Sequence, residues 1–313
     1  MTRILIIFIL IPILTNAQHT IIGKVVNMES KKPISYATIS LVGTNQGTTA
    51  NFEGDFKLKI RDTTVIYNLE ISALGYHKRQ INTKNLSKII PLKRQIHEMP
   101  VVTVQGQKTK TKKIGVNLFS PQTSSFGTCA SSNFQAALYI PNKYQIEGWV
   151  KSISYYITKD RGIPNTPFRV NIFDKNDTLK QPGKDILNRS IIISGDKNGG
   201  WVTVDIDSLY IPFIKNGIFV GMEWLYNSTN YHYTSTNKGG NYDCFGQCIS
   251  ITPNISEHRT WIRGLYKSTK WRLRDWWYSD PTRKKRPTNI MIRVEVEYNK
   301  SLLSDKKQKL NFR

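Results

Sequence analysis

The chain has 313 residues, of which 39% are hydrophobic and 11% aromatic, and that is enough apolar material to exclude a wholly disordered or collagen-like protein. Lys and Arg number 45 against 22 Asp and Glu, for a formal charge of +23. An excess spread along the whole chain bears on partners and solubility, not on fold.

Residues 1–17 carry Arg3, an apolar run from Ile4 to Leu14, and Thr15-Asn16-Ala17 where a signal peptidase reads small side chains. That run is too short for a membrane span, which needs about 20 residues, so it reads as a cleaved signal peptide. Gln18 follows where a lipoprotein would have Cys. No later stretch is long and apolar enough for a transmembrane helix. The expectation is an exported protein, periplasmic, associated with the outer membrane, or secreted.

From Thr20 onward apolar residues alternate with period two in short runs parted by turn residues, the mark of β-strands. Strands are expected at Thr20–Val26, Ala37–Leu41, Phe56–Ile60, Val65–Ile71, Lys88–Leu92 and Pro100–Val104. Runs this short and this closely spaced point to a small sandwich of about seven strands, as in other all-β domains. Phe52, Phe56 and Tyr76 are expected to plug its core.

Six segments carry a family likeness: Ile22-Gly23-Lys24-Val25-Val26, Lys32-Pro33-Ile34, Ala37-Thr38-Ile39, Val42 to Thr48, Asn51 to Phe56, and Ala73-Leu74-Gly75-Tyr76. In their order and spacing, residues 18–104 resemble the carboxypeptidase regulatory-like domain, a transthyretin-like β-sandwich often found at the start of outer-membrane receptors in Gram-negative envelopes. The resemblance implies a docking or stabilising module and no catalytic apparatus. None of His19, His77, His97, His232 and His258 has Glu three residues on, as a zinc carboxypeptidase needs. The chain also lacks His-Glu-x-x-His and Gly-x-Ser-x-Gly. No enzymatic activity and no cofactor are expected.

Residues 105–113 hold four lysines and no acid, and read as a solvated linker. Residues 114–300 return to short strands. Ile290, Ile292, Val294, Val296 and Tyr298 alternate with Arg293, Glu295 and Glu297, so one face is buried and one wet. This region is expected to form a second antiparallel β-sandwich, jelly-roll-like, followed by a basic tail at 301–313. Pro167 to Phe173, Asn198 to Val202 and Phe219 to Trp224 resemble the partner domain that follows such regulatory-like domains in other exported envelope proteins, a likeness that implies no activity.

Four of the seven tryptophans fall between residues 261 and 278. Trp261, Arg263, Tyr266, Trp271, Arg272, Arg274, Trp276 and Trp277 admit two readings. They form a ligand surface that stacks sugar rings or holds anions, or they are sandwich core with a basic outer face. Of the three cysteines, Cys244 and Cys248 are spaced to close a small disulfide loop, with Cys129 as an alternative partner. A Cys129 nucleophile fits no local peptidase signature. The carboxylate pairs Asp205/Asp207 and Glu295/Glu297 lie two residues apart on strand faces.

These readings combine into an exported, non-enzymatic envelope protein. Its partners are envelope proteins or polyanions such as lipopolysaccharide and acidic glycans, with nucleic acid not expected. The alternative is a carbohydrate-binding or adhesive protein that uses the Trp/Arg-rich surface.

Overall fold

The computed structural model describes residues 19–44, 46–60, 65–95, 109–116, 124–129, 133–187, 189–226, 230–237, 239–264, 270–279 and 284–299. The proposed leader, the strand expected at Pro100–Val104 and the basic tail lie outside them. Apart from two single-turn 3-10 helices, the regular elements among the described residues are all strands.

Among the described residues seven strands make the first domain: β1 (His19–Asn27), β2 (Thr38–Leu41), β3 (Gly47–Thr49), β4 (Asp55–Ile60), β5 (Asn68–Ser72), β6 (Arg79–Asn82) and β7 (Ile89–Leu92). One sheet runs β4-β1-β7 and the other β3-β2-β5-β6. In β4 the alternation is complete, with Phe56, Leu58 and Ile60 turned into the core and Lys57 and Lys59 into solvent. The core closes around Val25, Ile39, Leu41, Leu69, Ile71 and Ile90. Gly54 turns the chain into β4 with φ +78°, and a Cβ there would lie 2.6 Å from the Val25 carbonyl oxygen, so only glycine fits. Phe52 departs from expectation. It sits in the turn before Gly54 with 70% of its surface exposed, while Phe56 is buried and Tyr76 packs at the core edge.

The second domain is a larger antiparallel sandwich. Its strands are β8 (Thr109–Gly115), β9 (Ser124–Thr128), β10 (Phe134–Ile140), β11 (Gly148–Gly162), β12 (Pro167–Asn176), β13 (Gln181–Asp185), β14 (Ile191–Ser194), β15 (Gly200–Asp205) and β16 (Ile211–Pro212). They continue with β17 (Ile218–Trp224), β18 (His232–Asn237), β19 (Gly240–Thr252), β20 (Thr260–Gly264), β21 (Arg272–Leu273), β22 (Trp277–Ser279), β23 (Lys285–Pro287), β24 (Asn289–Ile290) and β25 (Ile292–Asn299). One sheet is ordered β13-β12-β17-β10-β20-β21, with β14 also on β12. The facing sheet runs β18-β19-β11-β25-β8, with β15 and β16 on β11, and β9 and β24 on β19. Leu138, Ile172, Val220 and Trp224 from the first of these sheets meet Ile153, Ile249 and Val294 from the second in the main core. In β25, Ile292, Val294 and Val296 point inward as the alternation requires.

The lysine-rich segment is not wholly a linker. Residues 109–113 belong to β8, which pairs antiparallel with β25, setting Lys113 opposite Glu295 and Thr111 opposite Glu297. An edge strand has one solvated side and tolerates lysines that a central strand would not. Residues 109–113, expected in the linker, therefore belong to the second sandwich.

The two domains touch through polar groups buried on both sides. Thr49 Oγ1 donates to Asn133 Oδ1 at 2.9 Å, and the Thr49 amide donates to the Tyr226 carbonyl at 3.1 Å. Arg169 Nη2 donates to the Tyr36 carbonyl oxygen. Leu74 of the first sandwich packs against the main core of the second.

Candidate functional site

The Trp/Arg-rich stretch divides into two environments. Strand β20 lies between β10 and β21, and alternation sends Ile262 into the main core and Trp261 and Arg263 to the outer face of the sheet. There Trp271, 7% exposed, sits edge-to-face on Phe173 with ring centroids 5.3 Å apart, and Trp261 meets Phe219 at 6.3 Å. Arg263 carries its guanidinium 4.5 Å above the Trp271 ring. Ala137, Phe173, Phe219 and Trp271 form a second, smaller core, so this half of the stretch packs the outer face of the sheet. Arg272 is exposed, and Tyr266 lies outside the described residues.

The other half lines a groove of about 430 Å³. Trp276 anchors its wall against the main core, with Phe126 at 4.8 Å and the Arg274 guanidinium 4.5 Å over the indole. Trp277 is 55% exposed and stands edge-on to His258 at 4.6 Å. Arg161, Ser125 and Thr288 reach the same groove from other strands or loops. Arg274 Nε and Thr288 Oγ1 are buried, and neither has a hydrogen-bond partner among the described residues. Burial lowers the pKa of Arg274; Asp275 opposes that shift and Arg272 adds to it. Aromatic faces, hydroxyls and two guanidinium groups together can stack a ring and hold an anion.

A second constellation crosses the same sheet beside the first domain. Arg169, Glu223, Gln135 and Arg263 stand directly opposite one another on β12, β17, β10 and β20. Arg169 Nη1 donates to Glu223 Oε1 at 2.6 Å, Gln135 Nε2 to Glu223 Oε2 at 2.8 Å, and Arg263 Nε to Gln135 Oε1 at 2.7 Å. Asn133 Nδ2 adds a bond to Glu223 Oε1 at 3.2 Å. Burial lowers the pKa of Arg263, against the attraction of Glu223 and Asp185. Nearby, burial pushes the Asp185 carboxyl up to about 6, although it accepts hydrogen bonds from Asn171 and the Leu187 amide.

The cysteines pair differently from the expected Cys244–Cys248 loop. Cys129 is joined to Cys244, and Cys248 is a buried free thiol. Residues four apart along one strand are carried to roughly 13 Å, beyond the roughly 7 Å that a disulfide permits. Antiparallel pairing of Thr128 with Phe245 instead brings Cys129 beside Cys244. Burial raises the pKa of Cys248, opposed by its hydrogen bond with Tyr233 and by Arg161. Of the carboxylates two residues apart, Glu297 is held by Lys151 at 2.9 Å and Asp207 accepts from Trp149 Nε1 at 2.6 Å. Hydrogen bonds from Thr109 and Lys151 keep Glu297 below the usual carboxylate range. Among the described residues no group of three or more His, Cys, Asp or Glu side chains is placed to hold a metal, and no helix is long and apolar enough to cross a membrane.

Sequence reasoning missed Phe126, Arg161 and Thr288 in the groove, and Asn133, Gln135, Arg169 and Glu223 at the domain contact. The first three come from distant segments and carry no local signal. Arg169 and Glu223 do carry one, since each is a lone charge inside an apolar strand, Phe168-Arg169-Val170 and Met222-Glu223-Trp224.

A search of curated proteins gave no match to this chain. Residues 21–104 match the CarboxypepD_reg-like domain family, a span that ends before the second sandwich begins. The first of the two sandwiches is thus a carboxypeptidase regulatory-like domain.

Proposed function

We propose that this is an exported, non-enzymatic protein of the cell envelope whose regulatory-like sandwich docks on the second sandwich and stabilises it. The observation that carries this reading is the contact around Asn133, which bonds Thr49 on one side and Glu223 on the other. Buried polar groups need partners, and here each domain supplies partners to the other. Three of the five side chains that invite a catalytic reading have structural employment: Cys129 in a disulfide, Glu297 on Lys151, and Asp207 on Trp149. The +23 charge favours polyanions such as lipopolysaccharide or acidic glycans as envelope partners.

Cell fractionation with crosslinking tests the location and the partners, and the Asn133→Ala variant tests the docking. The protein should appear in the periplasmic or outer-membrane fraction, and the variant should unfold at lower denaturant with its first domain more open to proteases. Recovery from the cytoplasm, or turnover of a substrate by the pure protein, would end this reading. A second reading, a carbohydrate-binding or adhesive protein, is favoured by the exposed Trp277 in the Arg-lined groove.

A further inference from the structure

We infer that the groove at Trp277 is a subsite for an acidic sugar of the hexuronate type, its ring stacked on Trp277 and its carboxylate held between Arg274 and Arg161. This rests on the carbohydrate-binding reading of the groove and gives it a ligand class.

Three observations support it. The first is the pair of buried polar atoms on the groove wall. Thr288 is 2% exposed, and its hydroxyl has no hydrogen-bond partner among the described residues; Arg274 Nε is in the same condition. A buried polar group left unpaired costs about 1–3 kcal/mol, and such groups persist where something outside the chain completes them. Both atoms have almost no open surface, so a sugar hydroxyl completes them where the groove wall gives slightly on binding.

The second observation is the aromatic surface. Trp276 is already engaged, between Phe126 and Arg274, whereas Trp277 beside it leaves more than half of its surface open. An exposed indole in a groove that also holds Ser124 and Ser125 matches the apolar face and polar rim of a pyranose ring better than it matches a lipid chain.

The third is charge. The groove carries Arg161 and Arg274 and no carboxylate among its described lining residues. Arg161 is steadied by donating to Ser235 Oγ at 3.0 Å, and Arg274 by lying on Trp276. Planar guanidinium groups held in this way are suited to a carboxylate. A neutral sugar would bring no charge to either guanidinium.

Titration calorimetry of the purified full-length protein with trigalacturonate, and with galactotriose as its neutral counterpart, tests the inference. Trigalacturonate should bind at least roughly tenfold tighter, the ratio expected from hydrogen bonds to charged groups. Trp277→Ala should weaken both sugars, and Arg274→Gln should narrow the gap between them. Thr288→Val is the sharper variant. Removing an unpaired buried hydroxyl should leave the melting temperature unchanged or raised while binding weakens, a pairing that a purely structural role does not produce. It also keeps the test intact if Arg274→Gln fails to fold. The charge control is Lys57→Gln with Lys59→Gln on the first domain, which should leave binding as it was. Equal binding of the two sugars would overturn the acidic-sugar inference while the carbohydrate reading stood. Binding of neither sugar would remove both, and loss in the lysine control equal to that in Arg274→Gln would assign the attraction to diffuse charge.

Discussion

Arg169 and Glu223 face each other across adjacent strands with 2.6 Å between Nη1 and Oε1, and both are almost wholly buried. Arg169 also donates to Tyr36 of the other domain and to Ser190, and Glu223 also accepts from Gln135 and Asn133. Removing one member of a buried pair leaves the other charged and alone, at a cost of about 3–5 kcal/mol. Arg169→Met should therefore destabilise the protein by that order, and Glu223→Gln somewhat less because the amide still accepts. The double variant Arg169→Met with Glu223→Leu should recover much of the loss. Urea unfolding of the three variants and of Glu223→Leu alone, read as a double-mutant cycle, checks this, and additive losses would refute the coupling.

Asp185 gives the fold a pH dependence of a definite sign. Its pKa is raised by burial from 3.8 to about 6 in the folded protein, so the folded state holds its proton more tightly than the unfolded state does. Stability from this group is greatest below the unfolded value, declines as pH rises through the interval up to about 6, and is flat above it. The span amounts to something on the order of 3 kcal/mol. Asp185→Asn should abolish that decline, whatever its own stability, since the amide does not titrate. Denaturant midpoints of both proteins at pH 4, 5, 6 and 7 measure it, and parallel curves would contradict the assignment.

The thiol count separates the two cysteine pairings. Alkylation without reductant should label no thiol in the folded protein and one, Cys248, after unfolding; reduction should raise the number to three. Peptide mapping should join Cys129 to Cys244 across a sequence separation of 115. Closing so long a loop contributes up to about 4–5 kcal/mol in the chain-entropy account. Cys129→Ser should therefore lower stability by a few kcal/mol, and Cys248→Ser by much less.

Gly54→Ala concentrates its effect on the first domain. The added methyl would meet the Val25 carbonyl oxygen at 2.6 Å on a backbone with φ +78°. A loss of about 1–3 kcal/mol is expected from the strained backbone alone. Gly43→Ala is the comparison, since it has a similar φ of +80° and open space where the methyl would go, and it should cost less. Equal losses would show that the close approach to Val25 contributes nothing.

The strand most legible in the sequence is the one with one dry and one wet face. In β4 each inward residue is followed by a polar one, and the spacing alone fixes which side is buried. In β25 the inward set is as expected, but the other face is not wet throughout: Arg293 is only 8% exposed, its guanidinium 4.1 Å over the Trp201 ring. β8 defeats that method, because its pattern Thr-Lys-Thr-Lys-Lys-Ile-Gly offers one apolar residue to the period and its status depends on Glu295 and Glu297 far along the chain. Phe52 shows the converse error, since a large apolar residue near a glycine suggests core although the turn points it outward. The aromatic cluster holds both readings at once. Trp261 and Trp271 pack a second face of the sheet, and Trp277 does not, a division set by β21 ending at Leu273, which composition cannot reveal.

The lysines of β8 also govern how one molecule meets another. Among the described residues no strand pairs with the outer edge of β8, which leaves a row of backbone donors and acceptors to any extended chain that arrives. Lys110, Lys112 and Lys113 confront an approaching copy of the same strand with their own charge, so sheet-to-sheet growth is opposed by repulsion. Concentrated salt weakens that repulsion and so removes part of the protection this edge has against pairing with a copy of itself.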